Sequence, residues 1–357
     1  MTKTNIPIGA EALPFDADRY SDLRTKVEAA NKICVLGHIG PDGDAVGSCT
    51  GFVGTLRNAY PDKEINIILP NPAPRILDGL YLIDEIYIYD QNHTINVDAE
   101  KLILDADLIF CLDFQSPERV GQKLSTVLID SKAPKILIDH HLYPNLDFFC
   151  LSFSFPGSSS TAELVFNLIH AVGWQKYITP EIAKSILCGI ITDTGCFSYQ
   201  SEKSTVFEVA GRLLDYGADK EALIHEIYHR NTMSQVKLKG YVMGEKLTFV
   251  PEIGLAYFIL TKEEMIRFGV KDDETEGFVN EPLNIEGIHY SFFIRQRDNL
   301  LKISFRSQGD YPVNEVATKL FGGGGHKNAA GAEYHDVSNP EIPAKMIIDE
   351  FKKIHNK

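Results

Sequence analysis

Nowhere in this chain do two cysteines stand two residues apart, so neither a zinc ribbon nor a dithiol redox pair is encoded. The six cysteines, Cys34, Cys49, Cys111, Cys150, Cys188 and Cys196, sit mostly inside apolar runs and read as reduced core residues. Also missing is any unbroken apolar stretch of the roughly 20 residues a membrane helix needs, so no membrane span is expected. Residues 1–14 lack the basic stretch and apolar run of a secretory signal, and a cytoplasmic protein is expected. Positive charge is in deficit: 35 Lys and Arg against 49 Asp and Glu leave a net charge of -14. A field of that sign repels long nucleic acid, so an anionic substrate should be small and captured locally. Internal repeats, low-complexity tracts and heptad runs are absent as well.

What is present is an ordinary globular composition, 44% hydrophobic and 24% charged, over 357 residues. That length predicts two domains or one enlarged α/β domain. Short apolar runs at Ile33–Leu36, Ile65–Leu69, Leu108–Leu112 and Lys135–Ile138 are predicted strands separated by helix-length segments, the pattern of a parallel α/β sheet. Helical patterns cover Ala45–Ala59 and Ser160–Val172, the second behind a Gly157 to Ser160 cluster that suits a turn and cap. Residues 205–247 read as polar and helical, a link between domains. Beyond Phe249, Gly254–Leu260, His289–Gln296 and Leu300–Phe305 are predicted strands, the last two a hairpin through Arg297-Asp298-Asn299, followed by a helix over Val313–Leu320. The expected division is 1–204, 205–247 and 248–357.

Acids and histidines gather at the strand ends. His38-Ile-Gly-Pro-Asp42-Gly-Asp44 follows the first strand, Asp113 follows Leu108–Leu112, Asp139-His140-His141 closes Lys135–Ile138, and Ile190-Ile-Thr-Asp193 supplies another acid. In an open parallel sheet the ligand crevice lies at the carboxyl ends of the strands, so four loops should converge there. A single strand-end aspartate ordinarily caps a turn or helix, and adjacent histidines are often plain surface residues. The joint pattern differs, because clustered like charges oppose folding unless a cation compensates them. Mixed imidazole and carboxylate donors favour Mn²⁺ over a thiolate zinc site or an all-oxygen calcium cage, with Mg²⁺ or Co²⁺ as alternatives. Two metals sharing a carboxylate would suit hydrolysis of a phosphoester.

With Phe321-Gly-Gly-Gly-Gly-His326 and Ala329-Ala-Gly331 added, the chain resembles the DHH phosphoesterase superfamily carrying a DHH-associated domain, over about 20–351. The resemblance implies an N-terminal parallel-sheet domain, a smaller mixed α/β C-terminal domain and an active site in the cleft between them. It implies one metal on His38, Asp42 and Asp113 and a second on Asp44, Asp113, His140 and Asp193, with Asp113 bridging. His141 would contact the scissile phosphate, Asp139 would orient a histidine, and a metal-bridging hydroxide would be the nucleophile. The compact length is similar to the branch that hydrolyses short oligoribonucleotides and adenosine 3',5'-bisphosphate. Glu118-Arg119-Val-Gly121 matches a loop that follows the bridging acid in that pattern.

For the C-terminal region the resemblance implies substrate contacts from Arg306, Gly323, Gly324, Gly325 and His326. Taken alone, a glycine run is only a flexible turn. Arg295 reads either as a further phosphate contact or as a solvated strand charge. Tyr199, Tyr311 and Phe321 are better explained as packing than as base-stacking residues, and Ser158 to Thr161 as a helix cap than as an approach to substrate. A pyrophosphatase or polyphosphatase and a non-catalytic nucleotide-binding module are the competing readings; the absence of a lysine and arginine clamp argues against the first, and the complete ligand set against the second. A homodimer is left open.

Overall fold

A computed structural model describes residues 8–91, 94–271 and 273–355, with the side chains of Asp273 and His326 outside the described set. The chain divides into two compact units, Met1–Arg230 and Asn231–Lys357.

In the first unit, β1 (Lys32–Leu36), β2 (Glu64–Leu69), β3 (Tyr87–Ile88), β6 (Leu108–Leu112), β7 (Lys135–Asp139) and β8 (Leu151–Ser154) form one sheet ordered β3-β2-β1-β6-β7-β8. Every pairing in it is parallel. Two short strands, β4 (Asp90–Gln91) and β5 (Thr94–Ile95), make a separate antiparallel pair. The apolar runs predicted as strands are strands; β3 and β8 went unpredicted because two and four residues carry too little periodicity. Alternation along each strand splits the core. Ile33, Val35, Phe110, Ile136 and Ile138 belong to one cluster, while Cys34, Leu36, Ile109, Cys111 and Leu137 belong to the cluster on the opposite face. Strand order reverses between β1 and β6, so the carboxyl ends of those two strands mark the crevice.

Helices α1 (Ala17–Ala29), α2 (Gly43–Ala59), α5 (Thr161–Val172), α6 (Pro180–Asp193), α7 (Ser204–Asp215) and α8 (Lys220–Tyr228) contribute to the first cluster; α3 (Val97–Leu104) and α4 (Gln122–Asp130) cover the other face. The α2–α6 contact is set by small residues. A Cβ on Gly47 would lie 2.4 Å from the Ser185 carbonyl oxygen, and one on Gly189 would lie 2.5 Å from Ala162 Cβ and 2.8 Å from Asp44 Oδ1. Only glycine lets these backbones approach so closely, and that approach brings the first turn of α2 beside the end of α6.

Helix α9 (Met233–Tyr241) belongs to the second unit, so the polar helical stretch 205–247 is shared between the two units. The second sheet runs β13 (Gly324–His326), β14 (Ala329–Tyr334), β12 (Leu301–Ser307), β11 (Tyr290–Gln296), β10 (Leu255–Leu260), β9 (Thr248–Val250). Only β10–β11 is parallel. Tyr290, Phe292, Ile294, Leu301, Ile303 and Phe305 pack on α11 (Asn314–Phe321) and α12 (Glu341–His355). The opposite face carries Phe258 and Phe293 against α9 and α10 (Lys262–Phe268). The predicted hairpin turn closes through Arg297 N–H donating to the Leu300 carbonyl, 2.8 Å.

Four cysteines are buried as expected, but Cys150 and Cys196 are exposed. Cys150 directly precedes β8, and Cys196 lies in a turn where its own φ is +56° and that of Phe197 is +64°.

Candidate metal centre

Three β-strand ends, the first turn of α2 and the last residue of α6 supply the centre. His38 follows β1, and Asp42 is the N-cap of α2, its carboxylate accepting the Asp44 and Ala45 amides. Asp44 therefore lies in the first helical turn, where the helix dipole favours a negative charge. Asp113 follows β6 at φ +64°, a left-handed conformation that aspartate tolerates better than most residues, with its amide donating to the Ile138 carbonyl at 3.0 Å. Asp139 ends β7, with His140 and His141 next. The expectation of a fourth strand-end loop is corrected at Asp193, which is the C-terminal residue of α6. The apolar run before it, Ile186 to Ile191, is a fully buried helix, and periodicity alone does not separate that from a buried strand.

These residues meet. His38, Asp42 and Asp113 each offer an atom within 4.8 Å of the others, as do Asp44, His140 and Asp193, and as do Asp113, His140 and His141. His38 Nε2 lies 3.4 Å from Asp113 Oδ2 and 3.7 Å from Asp42 Oδ1. His140 Nε2 lies 3.5 Å from Asp193 Oδ2, 3.7 Å from Asp113 Oδ1 and 3.8 Å from Asp44 Oδ2. Asp113 thus belongs to the group with His38 and Asp42 and also lies beside His140 of the group with Asp44 and Asp193. The other nitrogens face carbonyls: His38 Nδ1 is 3.0 Å from the Ile39 oxygen and His140 Nδ1 is 3.4 Å from that of Ser158. A proton held on Nδ1 by a carbonyl leaves Nε2 a lone pair, the state in which imidazole ligates a metal. Asp139, wholly buried, places Oδ1 2.7 Å from His141 Nδ1.

Electrostatics supply the test of fit. Burial and the charges of Asp113 and Asp193 push the Asp44 carboxyl well up, and burial together with Asp42 and Asp113 pushes Asp193 up to about 7 despite His140. For Asp113, burial is outweighed by the His38 hydrogen bond and the three nearby imidazoles, which hold it well below the usual range. Burial lowers the proton affinity of His38, but the Asp113 and Asp42 contacts outweigh it and carry it well up. His141 follows the same pattern, raised by Asp139 and Asp113 against burial and against the charge of Arg119. Asp193 Oδ2 is buried and, among the described residues, finds no hydrogen-bond donor. Acids crowded until burial and mutual repulsion raise the Asp44 and Asp193 carboxyls, with His38 Nε2 and His140 Nε2 beside the same carboxylates, fit divalent cations, whose charge would compensate theirs.

The first turn of α5 reads from the sequence as a helix cap in preference to an approach to substrate, and neither reading includes its contacts with the acids of the centre. Ser160 is the cap, its Oγ accepting the Glu163 amide at 3.0 Å. The Thr161 and Ala162 amides instead donate to Asp44 at 2.7 and 2.8 Å, and the Thr161 hydroxyl donates to Asp113 Oδ1 at 2.8 Å. A capping signature cannot reveal which carboxylate its neighbours bind, since both acids are remote in sequence.

In the second unit, strand register sets Ser291, Arg306, Ala329 and His326 in one row across four strands. Arg306 Nη1 donates to the Phe305 carbonyl at 2.9 Å. Arg295 is not a solvated strand charge: it is 6% exposed and bonded to the Thr275 hydroxyl. The glycines serve packing too. A Cβ on Gly323 would lie 2.3 Å from the Gly331 oxygen, and one on Gly325, at φ +142°, would lie 2.3 Å from the Ala329 oxygen. Gly324 pairs with Gly331 in the same sheet.

A parallel α/β sheet with acids and imidazoles converging at the ends of its strands defines an α/β protein whose donors could hold divalent metals. Residues 32–190 match the model of the DHH family N-terminal domain, and 254–353 match that of the DHHA1 domain. The chain belongs to the DHH family. It is 32% identical over 300 residues to the bifunctional oligoribonuclease and PAP phosphatase NrnA of Thermus thermophilus, spanning 84% of this chain and 83% of that one. It is 28% identical over 320 residues to the Bacillus subtilis protein of the same name, spanning 88% and 93%. A solved structure described as an exopolyphosphatase-related protein from Bacteroides fragilis superposes with a TM-score of 0.89 at 36% identity, over 96% of this chain and 97% of that one.

Proposed function

We propose that this protein is a Mn²⁺-dependent phosphoesterase that hydrolyses short oligoribonucleotides and linear dinucleotides to mononucleotides and removes the 3'-phosphate of adenosine 3',5'-bisphosphate. The observation that carries it is Asp113, which forms one three-donor group with His38 and Asp42 and faces a second made of Asp44, His140 and Asp193. His38, Asp42 and Asp113 would hold one cation; Asp44, Asp113, His140 and Asp193 the other. The chemistry such a pair supplies is Lewis acidity at the phosphoryl oxygens and a water acidified toward neutral pH.

The chain's own residues do the rest. Asp139 fixes the ring of His141 through Nδ1 and, with Asp113, raises its proton affinity, which favours the doubly protonated ring whose Nε2 offers an N–H to a phosphoryl oxygen of the substrate. Arg306, with a planar guanidinium suited to phosphate, and the row it shares with His326 are proposed to take a nucleotide's other phosphate. The relatives' names support nucleotide substrates, and the net charge of -14 supports short ones. Incubation with Mn²⁺ and a labelled dinucleotide, and separately with the bisphosphate, tests the reading; turnover of neither would sink it.

One observation favours a second reading. The Bacteroides fragilis structure is described as exopolyphosphatase-related, which makes pyrophosphate or polyphosphate the competing substrate. Including both in the same assay separates the two.

A further inference from the structure

We propose that Thr161 is the positioning residue of the metal centre, setting the bridging carboxylate through its hydroxyl and Asp44 through its amide; this rests on the two-metal reading above. Thr161 is wholly buried, and Asp113 and Asp44 are 2% and 1% exposed. The two acids come from segments 48 and 117 residues away in the chain, and this one residue touches both.

Three features make the contact more than the satisfying of a buried hydroxyl. The capping task of this turn is already done by Ser160, so the Thr161 hydroxyl is not needed for the helix. Thr161 N and Ala162 N occupy one oxygen each of Asp44, and Ser48 Oγ adds a third donor at 3.2 Å, so that carboxylate is held in plane by the start of α5. On Asp113 the hydroxyl takes a single lone pair of Oδ1, while Oδ2 faces His38; one fixed donor on one oxygen sets the rotation of the carboxylate and leaves the remaining lone pairs for cations. The β-branched side chain holds its own χ1 firmly, as a positioning group requires. Gly189 guards the arrangement from behind, since any side chain there would strike both Ala162 and Asp44.

Full-length protein stripped of metal by a chelator, titrated with Mn²⁺ by calorimetry, tests the assignment with no reference to turnover. Thr161→Val replaces the hydroxyl by a methyl and Thr161→Ala removes the hydroxyl and the γ-methyl together, both keeping the two amides, and the second covers the case in which the first does not fold. Either is expected to raise the Mn²⁺ dissociation constant by about 10- to 100-fold, while Thr161→Ser stays within about threefold of wild type. A merely structural hydroxyl would lower the melting temperature of the metal-free protein and leave Mn²⁺ affinity unchanged. Wild-type affinity in the folded Val or Ala variant overturns this proposal alone; a wild-type protein that binds no Mn²⁺ overturns the metal reading itself.

Discussion

Asp139 Oδ1 sits 2.7 Å from His141 Nδ1, with Asp139 wholly buried at the end of β7 and the imidazole turned toward the centre. His141 Nδ1 also lies 3.7 Å from Asp113 Oδ1, and the proposed function gives Nε2 to the substrate. Asp139→Asn keeps the shape but removes the carboxylate whose hydrogen bond and charge raise the proton affinity of His141, so the ring loses its support for protons on both nitrogens. Turnover should fall by roughly 10²-fold or more with Mn²⁺ affinity little changed, measured by steady-state kinetics and calorimetry on the same preparation. Equal loss of metal binding would place Asp139 among the ligands instead.

Close packing of α2 on α6 should tolerate no added methyl. Gly47→Ala forces a Cβ to within 2.4 Å of a backbone oxygen and is expected to cost about 3 kcal/mol or more, read as a lowered denaturation midpoint. Gly211 in α7 is exposed with no atom near its would-be Cβ, so Gly211→Ala should stabilise by about 0.5 to 1 kcal/mol.

His170 should make stability depend on pH away from the metal centre. Burial against Phe166 and Tyr216, with the charge of Arg212, pushes its imidazole down to about 4. A base depressed on folding contributes stability above its unfolded value near 6.5, and that stability is lost as pH falls toward 4. Up to about 3 kcal/mol is at stake, less what partial exposure screens. His170→Asn should flatten the wild-type slope between pH 6.5 and 4 in urea titrations; parallel slopes would refute the assignment.

Removing Arg306 should harm substrate capture more than the metal centre. Arg306→Met is expected to raise KM for a dinucleotide about tenfold or more, leaving Mn²⁺ binding as in wild type. A variant with unchanged KM and lowered kcat would assign Arg306 to the reacting phosphate.

Much of this was legible because strand-end chemistry is local. His38, Asp42, Asp44, Asp113 and the Asp139 to His141 run follow buried apolar strands, and parallel-sheet geometry gathers such ends at one edge. Asp193 was legible as an acid but not as the end of a helix, because Ile186 to Ile191 is buried on all sides and shows no period. The hydroxyl of Thr161 and the burial of Arg295 depend on which distant segments arrive beside them, and no local pattern records that. The short strands β3 and β8 take their form from the neighbour that pairs with them.

Counting Mn²⁺ per chain tests the central claim most directly, with equilibrium dialysis of wild type and Asp113→Ala followed by dinucleotide turnover of the same samples. Two ions and cleavage in wild type, with at least one ion and nearly all turnover lost in the variant, is the predicted result. Full activity in Asp113→Ala, or a wild type that cleaves with no more than one ion bound, would contradict a carboxylate shared between two metals.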